Sequence, residues 1–131
     1  MIFLDAFYII SLIIKNDPFY HISEKIEHYL NKEAKITNIT VLVEVLNSVN
    51  SYNFHGNIND LIKYLFDMDI FDFLTKDDYK EACVLFRYYG GSINFADCTI
   101  LQSMQNHEIT RIASFDKDFD KIKGIQRIGK I

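Results

Sequence analysis

The chain has 131 residues, of which 49% are hydrophobic and 24% charged. That suits one globular domain spanning residues 1–131 and excludes a disordered or collagen-like chain. A net charge of −4 gives no reason by itself to expect a nucleic-acid partner, but residues 1–110 carry 8 Lys/Arg against 15 Asp/Glu, and residues 111–131 carry 6 against 3.

In chain order, Ile2-Phe3-Leu4 reads as a buried strand ending at Asp5, followed by a helix over residues 6–14. Asp17-Pro18 reads as a cap with proline at the first helical position, opening a helix to about residue 31. Residues 35–37 form a candidate strand, and residues 40–52 a helix carrying Leu42, Val45, Leu46 and Val49. Asn57 or Asn59 caps the next helix, through Leu61, Ile62, Leu65 and Phe66, and residues 70–74 form a third strand. Thr75 with Asp78 predicts a capping box for a helix that stops before Gly90-Gly91. Asn94 with Asp97 predicts a second box, opening a helix with Ile100, Leu101 and Met104. Residues 111–114 and 125–128 complete the strands. Strands alternating with helices, without tight hairpins, predict a three-layer α/β/α sandwich around a parallel sheet of four or five strands.

Cys83 and Cys98 lack the spacing of a zinc site or disulfide framework. The apolar opening has no basic leader, is interrupted by Asp5 and is too short to span a bilayer. A cytoplasmic protein is the expectation.

Isolated acids carry most of the functional information. Asp5 is the only charged residue in residues 1–14, Glu44 in residues 36–59 and Asp97 in residues 88–107, with histidine counted neutral. Each stands in apolar company with no local Lys or Arg, and burying an unpaired carboxylate is costly. Asp5 ends a strand, Glu44 and Asp97 lie in the first turns of helices, and Asp116 follows the fourth strand. In a parallel sheet these positions share the carboxyl edge, where such folds put their sites. Gathered acids raise one another's pKa, and a hard divalent cation resolves that conflict. Taken alone, each acid reads equally well as a cap or a solvated residue, Asp97 above all.

The pieces Ile2-Phe3-Leu4-Asp5, Thr40-Val41-Leu42-Val43-Glu44-Val45, Phe95-Ala96-Asp97-Cys98 and Ser114-Phe115-Asp116-Lys117-Asp118-Phe119 occur in an order and spacing that resembles the PIN-domain family. The resemblance covers essentially the whole chain and is nearest to the small toxin ribonucleases of the virulence-associated protein C (VapC) type. It implies a metal-dependent endoribonuclease, commonly a homodimer, inhibited by a cognate antitoxin. By position, Asp5, Glu44, Asp97 and Asp116 are its acidic site, with Asp118 and Asp120 competing with Asp116 as the fourth metal ligand, Asp118 the nearer rival. The implied cofactor is Mg²⁺ or Mn²⁺, and the substrate is RNA. Ser114 would orient a ligand or water, and Lys117, Lys121, Lys123 and Arg127 would hold flanking phosphates or form a solvated face.

The sequence departs from the family at Phe7, where many relatives have a small polar residue, which narrows the site or alters substrate access. It departs again at Cys98, where alanine is usual.

Other readings are weaker. Asp116-x-Asp118-x-Asp120 lacks the glycine and distal glutamate of a calcium loop. His21, Glu24 and His28 share a helix face that reads as a polar outer surface. Tyr52, Phe54, Tyr64 and Phe66 offer an interface or, more ordinarily, core packing. Asp5 lacks the second aspartate of a dehalogenase-type phosphatase, and no receiver-type acid pair is present. The remaining alternative is a PIN-like protein- or RNA-binding scaffold without significant catalysis. Retention of all four acids argues against it.

Overall fold

The computed structural model describes residues 1–130. In chain order the elements are β1 (Ile2–Leu4), α1 (Ala6–Ile13), α2 (Tyr20–Tyr29), β2 (Lys35–Asn38), α3 (Ile39–Val49), α4 (Ile58–Phe66), β3 (Ile70–Asp72), α5 (Lys76–Tyr88), α6 (Phe95–Asn106), β4 (Arg111–Ala113), a 3-10 helix (Lys117–Lys121) and β5 (Gln126–Ile128). The five strands form one sheet in the order β3-β2-β1-β4-β5, and every pairing is parallel.

Right-handed crossovers dictate the layers. The connections from β1 to β2 and from β2 to β3 step in one direction along the sheet. The connections from β3 to β4 and from β4 to β5 step back. α1 to α4 therefore cover one face, while α5, α6 and the 3-10 helix cover the other. Accordingly α1 packs on α2 and α3, and α5 packs on α6. This is the three-layer α/β/α sandwich that the strand–helix alternation predicts.

The central strand β1 is wholly buried, with Ile2, Phe3 and Leu4 all at 0% exposure. A strand covered on both faces reads as a continuous apolar run, as this one does. Tyr8 of α1 is also fully buried, and its hydroxyl donates to Glu27 Oε2 at 2.7 Å, so the ring packs without orphaning its polar tip. The strand order reverses direction between β1 and β4. That switch point opens a crevice at the carboxyl ends of the strands.

Some boundaries differ from expectation for local reasons. Asp17-Pro18 caps a turn, not a helix: Asp17 Oδ1 accepts from the Phe19 amide at 2.8 Å, and α2 begins only at Tyr20. β3 stops at Asp72, because Leu74 adopts a left-handed φ of 59° that no strand continues. Gly90 and Gly91 take φ of 60° and 81°, ending the α5 segment as the sequence implies. The 3-10 helix after β4 was not signalled by hydrophobic periodicity. Tyr52, Tyr64 and Phe66 remain partly exposed, while Phe54 is half-buried against the core. No helix among the described residues is long and apolar enough to cross a membrane.

Candidate acidic metal site

Asp5 stands at the end of β1 and caps α1, its Oδ1 accepting from the Ala6 amide at 2.8 Å. Its Oδ2 accepts from the Ser114 hydroxyl, just beyond β4, at 2.6 Å. Ser114 Oγ in turn accepts from the Asp116 amide at 3.0 Å. The two strands flanking the switch point are thereby tied together by one buried hydroxyl. Asp5 is only 3% exposed, and burial pushes its carboxyl up to about 6, opposed by the Ser114 and Ala6 hydrogen bonds and reinforced by the Asp116 charge.

Asp97 enters from the first turn of α6. Asn94 Oδ1 accepts from the Asp97 amide at 2.8 Å, which is half of the expected capping box. The other half does not form. In the box at the start of α5, by contrast, Thr75 accepts from Asp78 and the Asp78 carboxylate reaches back to the Thr75 amide at 2.8 Å. The Asp97 carboxylate instead enters the crevice, and its buried Oδ2 has no hydrogen-bond partner among the described residues. Its carboxyl is pushed up to about 8, by burial first, then by the charges of Asp5, Asp116 and Glu44.

Glu44 projects from α3. Burial first, then the charges of Asp5 and Asp116, push its carboxyl up to about 7. A second set of hydrogen bonds holds α3 and α6 in register. Asn38, at the end of β2, caps α3 by accepting from the Val41 amide at 3.1 Å and donates to Ser103 Oγ at 2.9 Å. The hydroxyls of Thr40 and Thr99 meet at 2.6 Å. This polar bracket sets the spacing between the helices that carry Glu44 and Asp97.

Asp116 caps the 3-10 helix, its Oδ1 accepting from the Asp118 amide at 2.9 Å. One carboxylate oxygen each from Asp97, Asp116 and Asp118 lies within 4.8 Å of the others. Asp118 also pairs with Lys121 at 2.9 Å. Asp120 is turned elsewhere and accepts from Arg127 Nε and Nη2, both at 3.0 Å. Arg127 Nη1 donates to the Ser114 carbonyl at 3.1 Å. Thus Asp97, Asp116 and Asp118 meet, Asp5 and Glu44 lie near enough for their charges to act on Asp97, and Arg127 and Lys121 are engaged by carboxylates of their own segment. Lys117 and Lys123 are exposed.

The donor set suits a hard divalent cation. All the ligand atoms are carboxylate oxygens, the preference of Mg²⁺ and Mn²⁺. The buried, unpartnered Asp97 Oδ2 is an atom that such a cation would satisfy, and the mutual repulsion written into the raised carboxyls would be relieved.

Comparison with known proteins bears on the fold and the family. The PIN domain family model matches residues 2–125. The chain belongs to the PIN-domain family. The fold is shared with VapC20 of Mycobacterium tuberculosis, a sarcin-ricin loop cleaving toxin (19% identity, 92% of this chain and 94% of that one, TM-score 0.80). It is shared also with a toxin–antitoxin complex from Klebsiella pneumoniae (16% identity, 96% of each chain, TM-score 0.74). It is shared further with VapBC2 of Rickettsia felis, bound to a DNA fragment from its promoter (18% identity, 98% of each chain, TM-score 0.67). A search of curated proteins finds no match.

Asn38, Asn94, Thr99 and Ser103, which position the acids, were missed by the sequence reading as site residues. Asn94 is legible in the sequence only as a helix cap, Asn38, the last residue of β2, carries the same kind of signal, and Thr99 and Ser103 carry none.

Proposed function

We propose that this PIN-domain protein is a divalent-metal-dependent endoribonuclease and the cytoplasmic toxin of a type II toxin–antitoxin pair, formed by residues 1–131 as one domain. The observation that carries the reading is the Asp97 carboxylate, which leaves its capping box incomplete, keeps Oδ2 buried without a partner and lies within 4.8 Å of carboxylate oxygens of Asp116 and Asp118. A structural cap alone has no use for that geometry. The family membership and the toxin relatives support RNA as substrate.

Asp5, Glu44, Asp97 and Asp116, with Asp118 beside them, would hold Mg²⁺ or Mn²⁺. Bound there, the metal would supply Lewis-acid stabilisation of phosphoryl oxygens and lower the pKa of a water. Asp5 is locked by two hydrogen bonds, so its free lone pairs keep one direction. Ser114 fixes Asp5 and the Asp116 backbone together. Glu44, whose carboxyl is pushed up to about 7 by burial and by the Asp5 and Asp116 charges, would be among the groups that lose a proton when the metal binds. Lys117 and Lys123 remain open to flanking phosphates, with Lys121 and Arg127 able to join only by leaving Asp118 and Asp120. The same reading carries a cognate antitoxin and a second copy of the chain as partners.

Cleavage of a structured RNA pool tests the reading, with Mn²⁺, Mg²⁺ or EDTA, beside Asp5→Asn and Asp97→Asn proteins. Metal-dependent cutting lost in both variants is the expected result. Cutting that survives in both would overturn the site assignment.

A further inference from the structure

Next to the acidic cluster lies a cavity of about 440 Å³ walled by Phe7, Asp17, Phe19, Tyr52, Phe115 and Asp116. Its walls come from α1, the turn before α2, the segment after α3 and the loop after β4, so the fold assembles it from four distant stretches. Phe19 stacks on Phe115 with centroids 4.4 Å apart and an interplanar angle of 18°. Phe115 is backed by the buried Tyr8 at 6.2 Å, which anchors the stack. Yet Phe7, Phe19 and Tyr52 keep 54%, 44% and 38% of their surface exposed. Aromatic rings grouped around a cavity and left open to water are a binding surface more readily than a core.

The lining restricts the occupant. Aromatic faces favour a flat π-system, and the carboxylates of Asp17 and Asp116 disfavour an anion inside the cavity itself. Asp116 belongs to both the cavity and the acidic cluster, so a phosphate held at the cluster would have the cavity beside it. We propose that this cavity is a nucleobase subsite, in which one unstacked base next to the scissile phosphate stacks against Phe19 and is flanked by Phe7 and Tyr52. The proposal rests on the ribonuclease reading for its ligand. Phe7 then has a role beyond narrowing the site: it supplies a wall that a small polar residue would not. Stacking of this kind tolerates any base and is worth roughly 5- to 150-fold in affinity per stacked base.

The test uses short single-stranded RNAs in which 2-aminopurine replaces one base at a time. Their fluorescence is read in Mg²⁺ with Asp97→Asn protein, which does not line the cavity and does not consume the RNA. Quenching is expected at one position and not at its neighbours. Phe19→Ala and Tyr52→Ala in the same background should abolish that quench and weaken binding by roughly 5- to 150-fold, while Phe19→Tyr keeps both. Circular dichroism of each variant confirms folding, and Phe7→Ser, at an exposed helix position, provides an independent variant if Phe19→Ala unfolds. No quench at any position, or an unchanged quench in all aromatic-to-small variants, overturns the proposal and leaves the cavity to a side chain of a protein partner. Metal-dependent cleavage without quench defeats the subsite alone. Quench without cleavage by the unsubstituted protein defeats the nuclease reading and keeps a base-binding cavity.

Discussion

The Ser114 hydroxyl donates to Asp5 Oδ2 at 2.6 Å, across the junction of the two strands at the sheet's switch point. The same oxygen receives the Asp116 amide at 3.0 Å, so one atom orients two of the acids that define the site. Neither Asp5 nor Ser114 is accessible enough for water to replace the bond freely. A residue that acts through its neighbours in this way is a positioning residue.

Ser114→Ala should therefore lower metal affinity and RNA cleavage about 10- to 100-fold, the usual scale for losing a partner of a metal ligand. It should also destabilise the fold by about 1–3 kcal/mol, since a buried carboxylate oxygen loses its donor. Metal titration and thermal melting of the same preparation check both. Unchanged metal affinity would reduce Ser114 to a purely structural bond.

Asp97→Asn should behave differently from Asp5→Asn, although both are expected to abolish cleavage. The α6 cap uses Asn94 and the Asp97 backbone, which the substitution preserves. The side chain itself is a buried carboxylate repelled by Asp5, Asp116 and Glu44. Without metal at pH 8, Asp97→Asn should melt at the same temperature as the parent or higher. Asp5→Asn should melt lower, because Asp5 accepts from two buried donors. A lower melting temperature for Asp97→Asn in EDTA would show that Asp97 is a structural cap after all.

The pH dependence has a definite sign. In the unfolded chain the carboxyls of Asp5, Glu44 and Asp97 lose their protons near their ordinary values of about 4. In the folded protein they hold them to about 6, 7 and 8. Between these limits the folded state binds more protons, so stability falls as pH rises from about 4 to about 8. A metal that binds the deprotonated acids opposes the trend, and its affinity should climb across pH 6–8 with proton release. Melting curves from pH 5 to 8 in EDTA and in Mn²⁺ test this. A flat or rising profile in EDTA would contradict a clustered acidic site.

Asp5, Glu44 and Asp97 were legible in the sequence because each stands alone in an apolar run and all three map to one edge of the sheet, although any one of them could be a cap or a solvated residue. The parallel sheet was legible from alternation, and its carboxyl edge then located the cluster. What Asp97 does was not legible, because Asn94 to Asp97 and Thr75 to Asp78 show the same capping pattern, yet only the second closes. The choice among Asp116, Asp118 and Asp120 was also hidden. It depends on the 3-10 helix, which sends Asp116 and Asp118 toward Asp97 and Asp120 toward Arg127. The aromatic cavity was invisible for a different reason: its walls come from segments whose proximity only the assembled fold creates.

The basic C-terminal segment divides into two kinds of cation, and salt dependence should separate them. The Arg127 guanidinium grips Asp120 with two nitrogens and the Ser114 carbonyl with a third, and the side chain is only 17% exposed. It holds β5 and the 3-10 helix behind the acidic site. Lys117 is exposed on that helix, one residue from Asp116. Arg127→Ala should lower the melting temperature and leave the salt slope of RNA binding unchanged. Lys117→Ala should leave stability unchanged and reduce the slope by about 0.7, the contribution of one phosphate contact to a single strand. Binding of a short RNA to Asp97→Asn protein over a range of KCl concentrations reads the slopes directly. A slope lowered by Arg127→Ala in a protein of unchanged melting temperature would return Arg127 to the phosphate-binding surface.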